Sequence, residues 1–281
     1  MDATGSLGVI VALLAALVWG SGDYVGGRAT RGHHPYQVLA LVSLSGLVLL
    51  IIAALVRGEP WPDGRSVALS AVAGVAGGFG IAALYQGLAV AEAAVVSPTA
   101  AVVGVVLPVA VGALTAGLPS PLKILGMLAG VLGIWIVTRG SSPSASGSRD
   151  GLALGIIAGI GFGGFFICMA QVPREAVFAP LVVAKAVAAT FAVVVLLVRR
   201  VSLPSPRANP VALVAGLLDA GGNVFYLVAA HLTRLDFAAL ISSMAPAVTV
   251  VLAGVISRQH VSRVQWFGVV LCIAGVALIA T

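Results

Sequence analysis

The sequence predicts an all-α membrane protein of ten transmembrane helices, arranged as two inverted five-helix repeats. Three observations lead there: the composition, the length of the apolar runs, and the recurrence of the same punctuation in both halves. Hydrophobic residues make up 60% of the 281 positions and charged residues only 9%, with a mean hydropathy of +1.14. A water-soluble domain of this length needs far more charge on its surface. Apolar runs of about 18–25 residues match a hydrocarbon core of roughly 30 Å. In lipid such runs cannot be open strands, whereas a helix satisfies its backbone polar groups internally. The 35 glycines suit membrane helices, where small residues let backbones approach.

Taken in order, the first half (1–138) reads as spans near 6–27, 35–56, 66–89, 93–116 and 121–138. The second (151–281) reads as spans near 151–172, 178–198, 209–231, 237–257 and 262–280. The junctions are short, so successive helices are antiparallel neighbours. Between the halves, residues 139–150 (RGSSPSASGSRD) form a polar, Gly/Ser-rich linker. The punctuation of the first half returns in the second at an offset of about 142 residues. Gly8, Trp19 and Gly20 are answered by Gly151, Phe162 and Gly163. Pro35 is answered by Pro180, and Tyr85 by Tyr226. Ser120, Gly126 and Gly133 are answered by Ser262, Gly268 and Gly275. A duplicated unit with an odd number of spans inserts its second copy upside down, the geometry of alternating-access carriers.

Several chemistries lack a carrier. The net charge of +6 is scattered over span ends, which fits loops and headgroups rather than a nucleic-acid footprint. Cys168 and Cys272 lie singly in apolar runs and read as small buried hydrophobes. His33 and His34 are adjacent, point to different faces and make a poor metal pair, so no metal or cofactor is expected. Walker, HExxH and GxSxG patterns are missing from the sequence, so ATP coupling and the common hydrolytic reactions are not expected. The first apolar run has no basic leader and no small-residue cleavage site, and reads as a retained span rather than a signal peptide. Small-residue stripes, such as Gly126 with Gly130 and Gly155 with Gly159 and Gly163, predict close helix packing. They also leave open a homodimer through the fifth and tenth spans.

Ionisable groups are costly inside a bilayer and mark sites. Asp219 lies roughly 15 Å into the eighth span, near the midplane. Asn223 follows on the same face and Tyr226 lies near it, giving a polar stripe on an apolar helix. A substrate or proton site and a structural hydrogen-bond network both explain that stripe. Lys185 sits roughly 10 Å into the seventh span. It either snorkels along its four-carbon stem or pairs with Asp219, which lowers the cost of both charges. Asp23 closes the first span within WGSGDYVGG, where Trp19 and Tyr24 supply aromatic surface and glycines loosen the helix. This suits a cation or amine site; the competing reading is an interfacial acid beside Arg28. Tyr85 and Gln86, on the third span, are the counterparts of the Tyr226 region. Glu92 and Asp236 occupy equivalent turns and read as turn and interface residues.

Ten spans in two five-span halves, with Trp19–Gly20 in the first helix, resemble the drug/metabolite transporter superfamily, EamA-type branch. The end of each half carries the resemblance further, through Pro246, Gln259, Ser262, Gln265, Gly268 and Gly275, and earlier through Ser120, Gly126 and Gly133. The resemblance implies a secondary transporter, not an enzyme, that exports or exchanges amino acids, amines or drugs without ATP. The substrate would lie in a central cavity between the halves, in a multi-pass protein of the cell (inner) membrane. A flippase for lipid or lipid-linked sugar, or a membrane enzyme acting on headgroups, is the alternative. Where the family often carries Glu before the last helix of each half, this chain has Gly117 and Gln259. The family's topology implies cytoplasmic termini. An inside N-terminus leaves Arg57, Arg65, Lys123, Arg174 and Arg234 inside. It puts Arg28, Arg31, Arg139, Arg149, Arg199, Arg200, Arg207, Arg258 and Arg263 outside, against the positive-inside rule.

Two labelling experiments test this topology. Reporter fusions within 139–150 and at the C-terminus localise to opposite faces of the membrane; the same face for both contradicts the inverted repeat. A cysteine at position 2 reacts with an impermeant reagent in intact cells only where the arginine count, and not the family topology, sets orientation.

Overall fold

Helix ends fall where the sequence supplies caps. The computed structural model describes residues 3–30, 33–90, 93–139, 149–202 and 205–281. Its helices are α1 (Ala3–Ala29), α2 (Pro35–Arg57), α3 (Gly64–Val90), α4 (Ala93–Ala116), α5 (Pro121–Arg139) and α6 (Arg149–Met169). They continue with α7 (Phe178–Val198), α8 (Pro210–Leu232), α9 (Leu235–Ser242), α10 (Ala245–Val255) and α11 (Arg263–Ala280). At α2, Pro35 occupies the first turn, where its missing N–H costs nothing. His34 Nδ1 accepts from Tyr36 N, and Gln37 reaches back to His34 N. Asn209 caps α8 and is followed by Pro210. Ser262 and Gln265 form a capping box at α11, a physical reason for that pair at this turn. Gly58, which ends α2, has φ 63°, a left-handed conformation that glycine adopts without strain. Most of the linker lies outside the described residues, as does Glu92.

Among the described residues, ten candidate spans emerge, Leu235–Val255 counting as one. That ninth span departs from the uninterrupted helix expected over 237–257. It turns at Ser243 and Met244 and resumes as α10. Pro246 has no N–H to offer the carbonyl four residues back, and its ring crowds that carbonyl, so the helix yields there. In α4, Pro98 and Pro108 are carried within one continuous helix.

The packing repeats under exchange of the halves. α1 packs on α8 as α6 packs on α3; α2 packs on α8 as α7 packs on α3; α4 packs on α6 as α9 and α10 pack on α1. The pairs α2 with α7 and α5 with α11 join counterparts directly. The offset of about 142 recurs at atomic level. A Cβ on Gly216 would collide with the Val42 carbonyl, and one on Gly74 with the Ala184 carbonyl. Likewise Trp19 lies over Gly222, and Phe162 over Gly80. With α6 answering α1 after five spans, the second half runs inverted through the membrane. The start of α1 and the end of α11 then share one side, here the terminal face, and the end of α5 and the start of α6 share the other, the linker face.

The glycine stripes are consumed inside the chain. A Cβ on Gly126 would lie 2.8 Å from the Gly275 carbonyl oxygen, and one on Gly133 2.8 Å from that of Gly268. These contacts map onto each other when the repeats are exchanged. Gly155, Gly159 and Gly163 press α6 against Thr99, Val103 and Leu107 of α4. The fifth and tenth spans therefore pack Gly126 and Gly133 against Gly275 and Gly268.

Overpacking a close contact costs about 1–3 kcal/mol. Gly275→Leu and Gly133→Leu therefore each lower the melting temperature of the purified protein. Gly27→Ala, where a Cβ meets no atom within 4 Å, leaves it unchanged.

Candidate functional site

Two charged side chains meet between α7 and α8, and a third, on α1, lies within electrostatic reach of them. α8 enters from the linker face and carries Asp219 about 14 Å along its axis. α7 enters from the terminal face and carries Lys185 about 10 Å along, so its long side chain points toward the same level. The ammonium and the Asp219 carboxylate form an ion pair. Room for the lysine stem comes from Gly46 of α2, where a Cβ would lie 3.0 Å from Lys185 Cε. Pairing answers the cost of each charge and is the outcome favoured over simple snorkelling.

Asp23 sits beside this pair, within electrostatic reach of Asp219. Gly22 packs against Leu218 and the Asp219 backbone, which fixes the approach of α1 to α8. The environment of Asp23 is unusual. It is open to solvent, yet protein atoms surround it closely. Helical spacing resolves this: Ala12 and Ala16, eleven and seven residues earlier, share its face and are buried at 0% and 2% exposure. Asp23 thus shares a helix face with buried residues while its own side chain is exposed. Gly27, one turn further toward the linker face, is exposed as well. Asp219 behaves alike. Its side chain is 35% exposed although Ala212, Ala215, Asn223 and Tyr226 on the same helix face are buried.

Trp19 ties α1 to α8. It lies one turn before Asp23 on that face, and its Nε1 donates to the Asp219 carbonyl at 3.1 Å. Its ring stacks with Tyr226 at 6.0 Å and meets Phe166 at 5.9 Å. Tyr226 is fully buried and donates to the Phe166 carbonyl at 2.7 Å. Asn223 Nδ2 donates to the Asp219 carbonyl at 2.6 Å. The polar stripe of α8 therefore divides: the Asp219 side chain pairs with Lys185, while Asn223 and Tyr226 bond backbone carbonyls and hold the helix and its aromatic support in place. The Tyr85 side chain lies outside what the structure describes. Gln86 is exposed in an outer groove with Tyr36 and Arg199, away from this cluster.

A latch absent from the sequence reading joins the two repeats at the terminal face. Arg234 Nη1 and Nη2 donate to the Ala116 and Gly117 carbonyls at 3.1 and 2.6 Å. Nη2 also reaches Asp236 Oδ2 at 2.7 Å. The bonds tie the end of α4, in the first repeat, to the start of α9, in the second. Asp236 is fully buried and accepts from Phe237 N at 3.0 Å. Its close approach to Gly112 leaves no room for a side chain there. It is thus an inter-repeat residue at the expected turn. Glu59 makes another such link, accepting from Val177 N and Ala179 N at 2.7 and 2.6 Å at the start of α7, where a carboxylate suits the helix dipole. The only signal for the latch was the spacing of Arg234 and Asp236; Glu59 had none.

A charged pair held within two inverted five-helix repeats, with a turn breaking one of the helices packed on α1, suits a membrane transporter fold. The chain belongs to the EamA-like transporter family, which matches residues 6–139 and again 149–281. It is accordingly a multi-pass transporter of the drug/metabolite type. A solved crystal structure is similar to it over 97% of this chain and 96% of the other, with a TM-score of 0.74 and 22% identity. At that identity the likeness establishes the fold alone. A comparison with curated proteins finds no significant match.

Breaking a fully buried ion pair costs about 3–5 kcal/mol through the charge left behind. Partial exposure of Asp219 lets water screen that charge, so the loss falls below this range. Lys185→Met lowers the melting temperature, and the Lys185→Met/Asp219→Leu double variant recovers most of it. Additive losses in a double-mutant cycle contradict the pairing.

Proposed function

We propose that the protein is a secondary carrier that exports or exchanges small amine-bearing metabolites or drugs by alternating access, without ATP. The observation that carries this is the Lys185–Asp219 ion pair with Asp23 within electrostatic reach; we read the exposure of both carboxylates as a cavity open to the linker face. The ion pair is internally balanced, and Asp23 adds a second carboxyl to it. A substrate ammonium or a proton supplies the balancing charge, and Trp19 offers an aromatic surface one turn away. Amines and amino acids fit such a site better than anions do.

Coupling follows from competition. Asp219 is shared between Lys185 and an incoming cation or proton. Occupancy changes what the α1–α8 contact costs, and a ligand shifts a conformational balance only through such differential interaction. The two inverted halves then rock about the site. Opening toward the terminal face requires release of the Arg234 bonds to Ala116 and Gly117. In this reading both termini face the cytoplasm.

Transport in proteoliposomes tests it. Asp219→Asn keeps size and hydrogen bonding but removes the charge, and abolishes proton-dependent uptake while the protein still folds. Lys185→Met impairs uptake less. Normal transport by Asp219→Asn across pH, with a dead Asp23→Asn, moves the coupling residue to α1 and overturns the assignment.

A further inference from the structure

Gln86 is the one candidate with a described side chain that lies apart from the Lys185–Asp219 cluster, and it marks a second feature. α3 and α7 run in the same direction, from the terminal face to the linker face. They cross at Gly74, where a Cβ would collide with the Ala184 carbonyl. Beyond the crossing Phe191 wedges over Gly78 and meets Phe79 at 5.4 Å. Two open pockets follow one another along this seam and make up an outer groove. The first, of about 350 Å³, lies between Val75 and Phe79 on one side and Val187 and Phe191 on the other. The second, of about 260 Å³, runs along Ala82 and Val194 and ends under Gln86, Tyr36 and Arg199.

The dimensions and the charge both bear on the occupant. From Val187 to Arg199 the helix rises about 18 Å, little more than half of a ~30 Å hydrocarbon core. The groove therefore spans one leaflet, from midplane to interface. Its walls are apolar, and Val194 and Phe79 are exposed at 48% and 58%. Its surface end is cationic. Arg199 and Arg200 are consecutive, and the Arg199 guanidinium is held 5.9 Å from the Tyr36 ring centroid. Gln37 Nε2 donates to the Ser202 carbonyl at 2.9 Å, which anchors the segment carrying both arginines.

We propose that this groove is a binding site for one anionic phospholipid, with an acyl chain between α3 and α7 and the phosphate against Arg199 and Arg200. A zwitterionic lipid fills the groove equally but brings its own counter-charge to the arginines. A second copy of the chain, docked by a two-fold axis, sets these arginines against their own mates. Each cationic residue near an anionic lipid surface contributes about fivefold in affinity.

Native mass spectrometry of the delipidated full-length protein, with equal dioleoyl phosphatidylglycerol and dioleoyl phosphatidylcholine, tests the site. A single phosphatidylglycerol adduct dominates in the wild type, and Arg199→Gln weakens it about fivefold. Ala82→Trp or, at an exposed position less able to disturb folding, Val194→Trp fills the groove and removes the adduct with both arginines intact. Equal retention of the two lipids overturns the proposal, as does an adduct indifferent to Arg199→Gln. Displacement of the lipid by inorganic phosphate, with the tryptophan variants binding normally, reduces the site to a free-anion contact and also overturns it. A lipid-free dimer that the tryptophan variants dissociate overturns it in favour of a second copy.

Discussion

The rest of the structure depends on two close backbone approaches, Gly216 against the Val42 carbonyl and Gly74 against the Ala184 carbonyl. Without a hydrophobic force between helices in lipid, association rests on packing, and packing rewards residues that let backbones touch. The two contacts are the same contact made twice, once in each direction across the repeats. They also set the register of the charges. Asp219 follows Gly216 by three residues and Lys185 follows Ala184 by one. The crossings that hold α2 to α8 and α3 to α7 thus bring carboxylate and ammonium to one level. The outer groove follows the α3–α7 crossing at Gly74 along the same seam.

Symmetry in the scaffold makes the asymmetry of the site informative. At the offset of about 142 that relates the contacts, Lys185 corresponds to Ser43 and Asp219 to Gly77. Ser43 is buried, and Gly77 meets only the edge of Phe165. The duplicated architecture thus carries its charge on one side. Trp19 and Phe162 show the same divergence more gently, since both cover a glycine but only the indole can donate to the Asp219 carbonyl. The ninth span is another departure. Pro246 divides it next to α1, where Gly20 admits the Ala245 backbone and Thr249 Oγ1 donates to the Gly20 carbonyl at 2.9 Å.

Spans were legible because a hydrocarbon slab dictates their length, and breakers such as Pro35 and Pro210 mark their starts. The Lys185–Asp219 pair was legible because a lone charge there is costly. Helix faces were harder. In a soluble helix, apolar spacing reveals the buried side; in lipid, both the packed and the exposed sides are apolar. Val72, Val75 and Phe79 are exposed, and Gln86 continues their face, but nothing in the spacing says whether that face meets protein or lipid. The partners of Asn223 and Tyr226 are backbone carbonyls, which no side-chain pattern announces. The Arg234 latch also ends on carbonyls, those of Ala116 and Gly117.

The central proposal is that Asp23 and Asp219 line a water-accessible cavity open to the linker face and closed toward the terminal face. Site-directed labelling addresses it directly. An Asp23→Cys variant, with Cys168 and Cys272 replaced by alanine, is reconstituted in oriented vesicles and exposed to a membrane-impermeant thiol reagent from either side. The account predicts reaction from the linker face, and protection of that thiol by a transported amine. Reaction from neither side, with labelling only by a lipid-soluble reagent, contradicts it and puts the carboxylate against the bilayer.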